Sequence, residues 1–183
     1  MSQTEASAVR DPRFPIGRFD FDMTVTPERL AEAIDTMARV PKALREAMHG
    51  LTPQQVETPH REGGWNPRQI AHHIPDSHLN GYTRMKLALT EDAPTIKPYH
   101  EDRWAELGDV QTTPVEVSFL LLETLHLRWV ALARSLDSNQ WKRPFVHPET
   151  GRRTPIDLHL CHYAWHGRHH VAQITSLRER MGW

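Results

Sequence analysis

The sequence contains a single cysteine, Cys161, so no internal disulfide can form. A protein without disulfides fits a reducing compartment, and we therefore expect a cytoplasmic protein. The sequence also lacks any run of about 20 apolar residues, the length that crosses a membrane. Its polar first residues lack the apolar segment of a secretory signal. Neither membrane insertion nor secretion is therefore expected.

The chain has no surplus of either charge. Its 22 Lys and Arg residues against 23 Asp and Glu residues leave a formal net charge of -1 at pH 7. Proteins that bind nucleic acid or anionic lipid ordinarily present an excess of basic side chains. We therefore expect a small-molecule substrate, and neither nucleic acid nor a membrane surface among the partners.

Histidine, in contrast, is abundant, with 13 residues in a chain of 183. It is the side chain here that is best suited to bind a transition metal. The length fits one domain with a substantial core. We place that domain at residues 14–183, after a flexible N-terminal arm of residues 1–13.

Five prolines directly follow a residue that can cap a helix, and each such pair predicts a helix start. Proline loses nothing at the first helical position, because its missing N–H would have no partner there. Three of the pairs also have a Glu or Gln placed to complete a capping box. The pairs are Thr26-Pro27, Thr52-Pro53, Asn66-Pro67, Thr113-Pro114 and Thr154-Pro155, with box partners Gln55, Gln69 and Glu116.

Four of these starts open segments long enough for long helices, at about residues 27–49, 67–90, 114–136 and 155–181. The sequence therefore predicts an all-α protein, a four-helix bundle. A small hairpin is expected between the third and fourth long helices. The connection of residues 91–113 is long for a bundle, and such a loop often covers a site. We expect Tyr99 and Trp104 at the rim of a pocket.

The last predicted helix carries the stretch YAWHGRHHVAQ, with three histidines in five residues. At 100° per residue, His166 and His170 share the face that should point to the core, and His169 lies at its edge. Cys161 falls on the opposite side, which we expect to face outward. Two histidines one turn apart suit a zinc-like ion. Position 167 is glycine, so the glutamate base of an HExxH protease is absent.

An isolated pair of histidines at this spacing favours ordinary hydrogen bonding over a metal, and two ligands bind an ion too weakly, so a third ligand is needed from another helix. The second long helix carries His72, His73 and His78. His73 shares its face with a polar set that includes Asp76 or Ser77, Asn80 and Arg84, whereas His72 points about 100° away. We therefore choose His73. Pro75, just beyond it, should bend or open the helix.

The third long helix carries Glu123-Thr-Leu-His126, an ExxH motif. Ferritin-like di-iron bundles need two such motifs on their helices, and only this one is suitably placed. A di-iron centre therefore does not fit. Glu123 and His126 are better interpreted as groups of a pocket, or as a polar pair on the helix face.

With these residues in place, the chain resembles the DinB/YfiT-like family of metal-dependent enzymes. The resemblance covers nearly the whole chain, from about Phe14 to Trp183. It implies a four-helix bundle with up-down-down-up connectivity, a homodimer, and one divalent metal ion, zinc or nickel, on His73, His166 and His170. The blocks that carry the resemblance are FPIGRFD, TPHREGGWNPRQIAHHIPDSHLNGYTRMKLALTEDAPTIKPY, LHLRW, YAWHGRHH and MGW.

The expected function is that of a metal-dependent hydrolase, in which the ion lowers the pKa of bound water. One alternative is a metal-dependent S-transferase that uses a low-molecular-weight thiol, such as bacillithiol or mycothiol, and attacks electrophiles. The other is a non-catalytic stress or interaction protein that the ion stabilises. The candidate general bases are Asp76 and Glu123. The candidate substrate-binding residues are Asn80, Arg84, His126 and Tyr163.

Overall fold

The computed structural model describes residues 11–183, so residues 1–10 of the predicted arm lie outside the described part. Four long helices, α1, α3, α6 and α8, form the body of the protein, and short elements connect them. The elements in chain order are α1 (Pro27–Met48), α2 (Pro53–Val56), α3 (Pro67–Thr90), α4 (Glu101–Trp104), α5 (Gly108–Thr112), α6 (Val115–Arg134), α7 (Ser138–Trp141), β1 (Pro144–Val146), β2 (Arg153–Pro155) and α8 (Ile156–Met181).

The directions of the long helices follow from the residues that meet across their interfaces. Helices α1 and α8 are parallel, α3 and α6 are parallel, and α1 and α6 are antiparallel. The predicted four-helix bundle with up-down-down-up connectivity is confirmed. The contacts are Val40 with Gly167 and Ala47 with Arg178, His72 with Ser118 and Met85 with Trp129, and Asp35 with Arg134 and Arg45 with Glu123.

Three of the five predicted helix starts have the expected caps. The side chains of Thr26, Thr52 and Asn66 each accept a hydrogen bond from a backbone N–H of the first turn. The other two predicted caps were wrong. Helix α6 begins after Pro114 with no side-chain cap, and Thr154 lies in strand β2, opposite Phe145. Sheet pairing takes precedence over capping at Thr154.

The predicted hairpin is confirmed as the antiparallel pair β1 and β2. The connection between α3 and α6 packs against it, because Ile96 N donates to Val146 O at 3.0 Å and Val146 N donates to Pro94 O at 2.9 Å. The same connection contains the short helices α4 and α5, which periodicity did not predict. Hairpin and connection together form one wall beside the long helices.

The bundle interior contains two groups of apolar side chains, one around Trp129 and one around Leu122. The indole N–H of Trp129 donates to Met85 Sδ at 2.8 Å. None of the helices in residues 11–183 combines the length and the apolar character needed to cross a bilayer.

Cys161 is buried, and the prediction that its side of α8 faces outward was wrong for this residue. Helix α8 packs against α1 as well as α3, so it has two inner faces rather than one. Arg168 and Glu179, on the same side of α8, are exposed. Burial raises the pKa of the Cys161 thiol to about 11, which leaves the thiol protonated and unreactive at neutral pH.

Candidate metal centre

His73 on α3 meets His166 and His170 on α8. One ring nitrogen of each lies within 4.8 Å of the others. The Nε2 atoms of His73 and His166 are 3.2 Å apart. Helical phase selected the same three residues from the sequence, because i and i+4 positions lie one turn apart on the same face. Their role as metal ligands remains a proposal.

The spacing of these nitrogens suits a shared ion. Two nitrogens, each about 2.0–2.1 Å from zinc at a tetrahedral angle, lie roughly 3.3 Å apart. The 3.2 Å between His73 Nε2 and His166 Nε2 is close to that value. Two uncharged imidazoles whose lone pairs both point into this gap would repel each other, and a cation between them would remove that repulsion.

All three rings are held in the neutral form that binds metal. Burial lowers the pKa of His73 to about 4. Burial also holds the pKa values of His166 and His170 well below the ordinary range, and the neighbouring imidazoles add to the effect. A neutral imidazole keeps a free lone pair, so no proton has to be displaced for an ion to bind at neutral pH.

His170 has a hydrogen-bond partner on its other nitrogen. Its Nδ1 lies 2.9 Å from Gln173 Oε1, and the Gln173 amide nitrogen lies 3.1 Å from His169 Nε2. An amide oxygen only accepts, so His170 carries its proton on Nδ1 and its lone pair on Nε2. His169 is therefore buried in the site's surroundings, not at its margin as the helical phase suggested, and its ring stacks on Trp165.

The three histidines form part of the lining of a cavity of about 520 Å³. This size is in the range that holds small-molecule ligands. The walls come from residues 60–65, helices α3 and α8, the connection between α3 and α6, and the hairpin. The long connection therefore lines a site, as its length indicated. Tyr99 is part of the lining, whereas Trp104 packs behind it with ring centroids 4.6 Å apart.

Hydroxyl groups lie next to the histidines. Ser77 Oγ is 3.4 Å from His166 Nε2 and also interacts with the phenols of Tyr99 and Tyr163. Burial raises the pKa of both phenols, so they stay protonated and can donate hydrogen bonds. Arg84 adds a positive charge to the same wall and donates to Lys97 O at 3.2 Å.

Of the four predicted substrate-binding residues, Arg84 and Tyr163 line the cavity. The other two predictions were wrong. Asn80 uses its amide nitrogen to donate to Asp76 O at 2.9 Å, within α3. His126 is 2% exposed and bonds Met37 O, on the side of α6 that meets α1.

Neither predicted general base lines the cavity. Glu123 is exposed on α6, where it pairs with Arg45 at 3.2 Å. Asp76 points toward Asp109 of α5, and burial together with that carboxylate raises its pKa to about 6. Both assignments are corrected, because the packing of α3 and α6 turns these carboxylates away from the histidines. The carboxylates of the lining are Glu101, Asp102 and Glu149.

Sequence reasoning assigned no role to several residues of the lining, among them Ser77, Trp65 and His60. Ser77 follows His73 by four positions, so the periodicity that selected the histidine already placed both on one face. Trp65 packs on His73 with ring centroids 4.5 Å apart. His60 bonds Trp65 O through Nδ1 at 2.7 Å. The last two lie on the turn before α3, and no helical periodicity could have located them.

Fold and site together define a class of protein: a four-helix bundle in which two helices bring three imidazoles, two buried and one half-buried, to a ligand-sized cavity. The chain belongs to the DinB superfamily, whose family model matches residues 36–174.

Proteins of known sequence and structure are similar over nearly the whole chain. A Bacillus cereus protein named "Putative metal-dependent hydrolase" is 49% identical over 175 residues, which cover 96% of this chain and 100% of the relative. A Bacillus mycoides protein with the same description is 48% identical over the same shares. The solved structure of Bacillus subtilis YfiT, described as "a probable metal-dependent hydrolase with an unusual four-helix bundle topology", superposes with a TM-score of 0.91 at 43% identity. That match covers 94% of this chain and 98% of the other.

Proposed function

We propose that the protein is a metal-dependent hydrolase in which His73, His166 and His170 hold one divalent ion, zinc or nickel. The observation that carries the proposal is the cluster of three neutral imidazoles, two buried and one half-buried, in the wall of a cavity of about 520 Å³. The names of the Bacillus relatives support the same reaction class.

When bound, a divalent ion on three uncharged ligands keeps its full charge and supplies Lewis acidity and a water of lowered pKa. The residues of this chain position the reactants. Ser77 Oγ, at 3.4 Å from His166 Nε2, holds an oxygen of water or substrate beside that nitrogen. The phenols of half-buried Tyr99 and buried Tyr163 donate to a substrate carbonyl and stabilise the charge that develops on its oxygen.

Arg84 gives the cavity a fixed positive charge, which favours a substrate with an anionic or strongly polar group. Hydrolysis also needs a group that accepts a proton from water. Glu101, Asp102 and Glu149 are the carboxylates of the lining and take the place of Asp76 and Glu123 as candidates for that role.

The test is an activity screen of the metal-loaded protein on activated esters and anilides, run beside a thiol-conjugation assay with low-molecular-weight thiols and a model electrophile. We expect ester or amide cleavage that a chelator abolishes and zinc or nickel restores. Ser77→Ala should lower kcat/KM by about 10-fold or more, because one transition-state hydrogen-bond donor is lost. Thr83→Ala is the matched control, since its hydroxyl is exposed on the same helix and bonds only Leu79 O.

Two outcomes would contradict the proposal. Conjugation of thiols without any cleavage would make the protein an S-transferase. If it bound metal stoichiometrically but showed neither reaction, the ion would serve only to stabilise the bundle.

A further inference from the structure

A row of buried imidazoles leads from His166 away from the cavity. His166 Nδ1 lies 3.2 Å from His78 Nε2. On its other side, His78 Nδ1 lies 2.7 Å from His126 Nε2. His126 Nδ1 then lies 2.6 Å from the backbone oxygen of Met37 on α1. The row therefore crosses from α8 through α3 and α6 to α1, with His78 and His126 at 0% and 2% exposure.

The far end of the row sets the direction of every hydrogen bond in it. A carbonyl oxygen only accepts, so His126 must carry its proton on Nδ1. Neutral His126 then accepts at Nε2 from the Nδ1–H of His78. By the same step, His78 accepts at Nε2 from the Nδ1–H of His166. The opposite direction would set the His126 Nδ1 lone pair against the Met37 oxygen at 2.6 Å, which is repulsive.

Pro41 explains why the Met37 oxygen is available. In an α-helix each carbonyl accepts from the N–H four residues later, and for Met37 that residue is Pro41, which has no N–H. Helix α1 continues past this proline, so the Met37 carbonyl stays inside the bundle without its ordinary helical partner. The imidazole of His126 satisfies it from the neighbouring helix.

Two other buried histidines each bond a single partner and do not join the row. His72 Nδ1 pairs with Ser118 Oγ at 2.7 Å, and His159 Nε2 pairs with Gly81 O at 2.9 Å. The connected set is thus confined to the three rings that begin at His166. Burial alone does not produce such a connection.

We propose that His78 and His126 are positioning residues, which hold His166 in the tautomer with its proton on Nδ1 and its lone pair on Nε2. That lone pair faces His73 Nε2, on the side where the proposed ion would bind. The link to metal affinity rests on the proposed function, whereas the tautomers of the row exist with or without an ion. Partners that orient a ligand histidine typically change metal affinity by about 10- to 100-fold.

The experiment measures histidine tautomers in the metal-free protein by long-range proton–nitrogen NMR correlation, and zinc affinity by titration. In the wild type we expect His126, His78 and His166 to be protonated on Nδ1. His78→Leu should free His166 to populate the Nε2–H tautomer and should weaken zinc binding by about 10- to 100-fold. His126→Leu should mix the tautomers of His78. The control, His159→Leu, removes an equally buried imidazole outside the row and should change zinc affinity by no more than about 3-fold.

A proton on Nε2 of His126 in the wild type would overturn the proposal. This measurement uses the wild-type protein, so it does not depend on whether a variant folds. Unchanged His166 tautomer and unchanged zinc affinity in folded His78→Leu would overturn it as well. A wild type that binds no zinc would instead refute the metal site of the proposed function, and the tautomers of the metal-free protein would still decide whether the row sets His166.

Discussion

Single residues decide which nitrogens can reach an ion. His73, His166 and His170 present their ring nitrogens to one another, while His169 is hydrogen-bonded to the Gln173 amide and lies outside this group. Alanine at any of the first three positions should therefore abolish stoichiometric metal, because two imidazoles bind too weakly. His169→Ala should retain one ion per chain at saturating metal. Metal analysis of the purified variants after dialysis measures this directly.

Equal metal content in all four variants would show that the ion binds elsewhere. A loss in His169→Ala as complete as in His170→Ala would mean that the Gln173 link, and not direct ligation, governs binding.

At the residue scale, helical phase was sufficient to select the three histidines of the candidate site. It separated His73 from His72, which instead bonds Ser118. It failed for Asp76 and Glu123, because the sequence does not reveal how each helix is rotated against its neighbours. Both carboxylates lie on polar faces, but those faces meet α5 and solvent.

At the scale of elements, the ring of Tyr163 on α8 packs directly against the backbone of α3 at Gly81. A Cβ added there would lie 2.3 Å from Cζ of Tyr163, whose ring is enclosed by His78, Trp129 and His159. Overpacking in Gly81→Ala should therefore destabilise the protein by about 1–3 kcal/mol. The higher helix propensity of alanine offsets up to about 1 kcal/mol of this loss. Because the displaced ring lines the cavity, activity should fall as well. Denaturant unfolding and kinetics measure the two effects.

Gly108→Ala is the matched control, since nothing lies within 4 Å of the added Cβ. It should leave stability within about 0.5 kcal/mol and activity unchanged. A Gly81→Ala protein as stable and active as Gly108→Ala would show that the two helices can separate at this point without cost.

The long helices, the start of α2 and the hairpin could be predicted from the sequence, and the short helices α4, α5 and α7 could not. Proline after a capping residue located the starts at Thr26, Thr52 and Asn66, because the cap is formed by residues adjacent in the chain. Thr154 was misassigned because the cap prediction considers only adjacent residues, whereas its strand partner, Phe145, is not adjacent in the chain. Helices α4, α5 and α7 have 4, 5 and 4 residues, too few for a periodic pattern.

For the molecule as a whole, buried neutral histidines make stability depend on pH. Burial lowers the pKa of His126 to about 4 and that of His159 to about 3. In the unfolded chain both titrate near 6.5, so between pH 6.5 and 4 the unfolded state binds more protons. Stability is therefore full above pH 6.5 and is lost as the pH falls toward 4, by about 1 kcal/mol per pH unit for each such imidazole.

Urea unfolding of the metal-free protein at pH 7, 6 and 5 measures this slope. His159→Leu should reduce it by about 1 kcal/mol per pH unit, because one titrating group is removed. Burial raises the pKa of Asp76 to about 6, so this one carboxyl changes the free energy of unfolding with pH in the direction opposite to the imidazoles. A slope that His159→Leu leaves unchanged would show that this imidazole takes up protons in the folded protein as it does in the unfolded chain.

The homodimer implied by the family resemblance stays a prediction. Helix α6 carries a group of exposed apolar side chains that a partner subunit could cover. They are Val117, Leu120, Leu121 and Leu127.

The candidate ligands come from parts of the chain that are far apart, since His73 and His166 are separated by 93 residues. An ion shared by both would act as a cross-link that closes a loop of that length. In a disulfide, a loop of about this size restricts the unfolded chain by roughly 4–5 kcal/mol. Unlike a disulfide, the cross-link would open and close with the concentration of free metal. The resistance of the fold to unfolding and proteolysis would then report the metal supply around it.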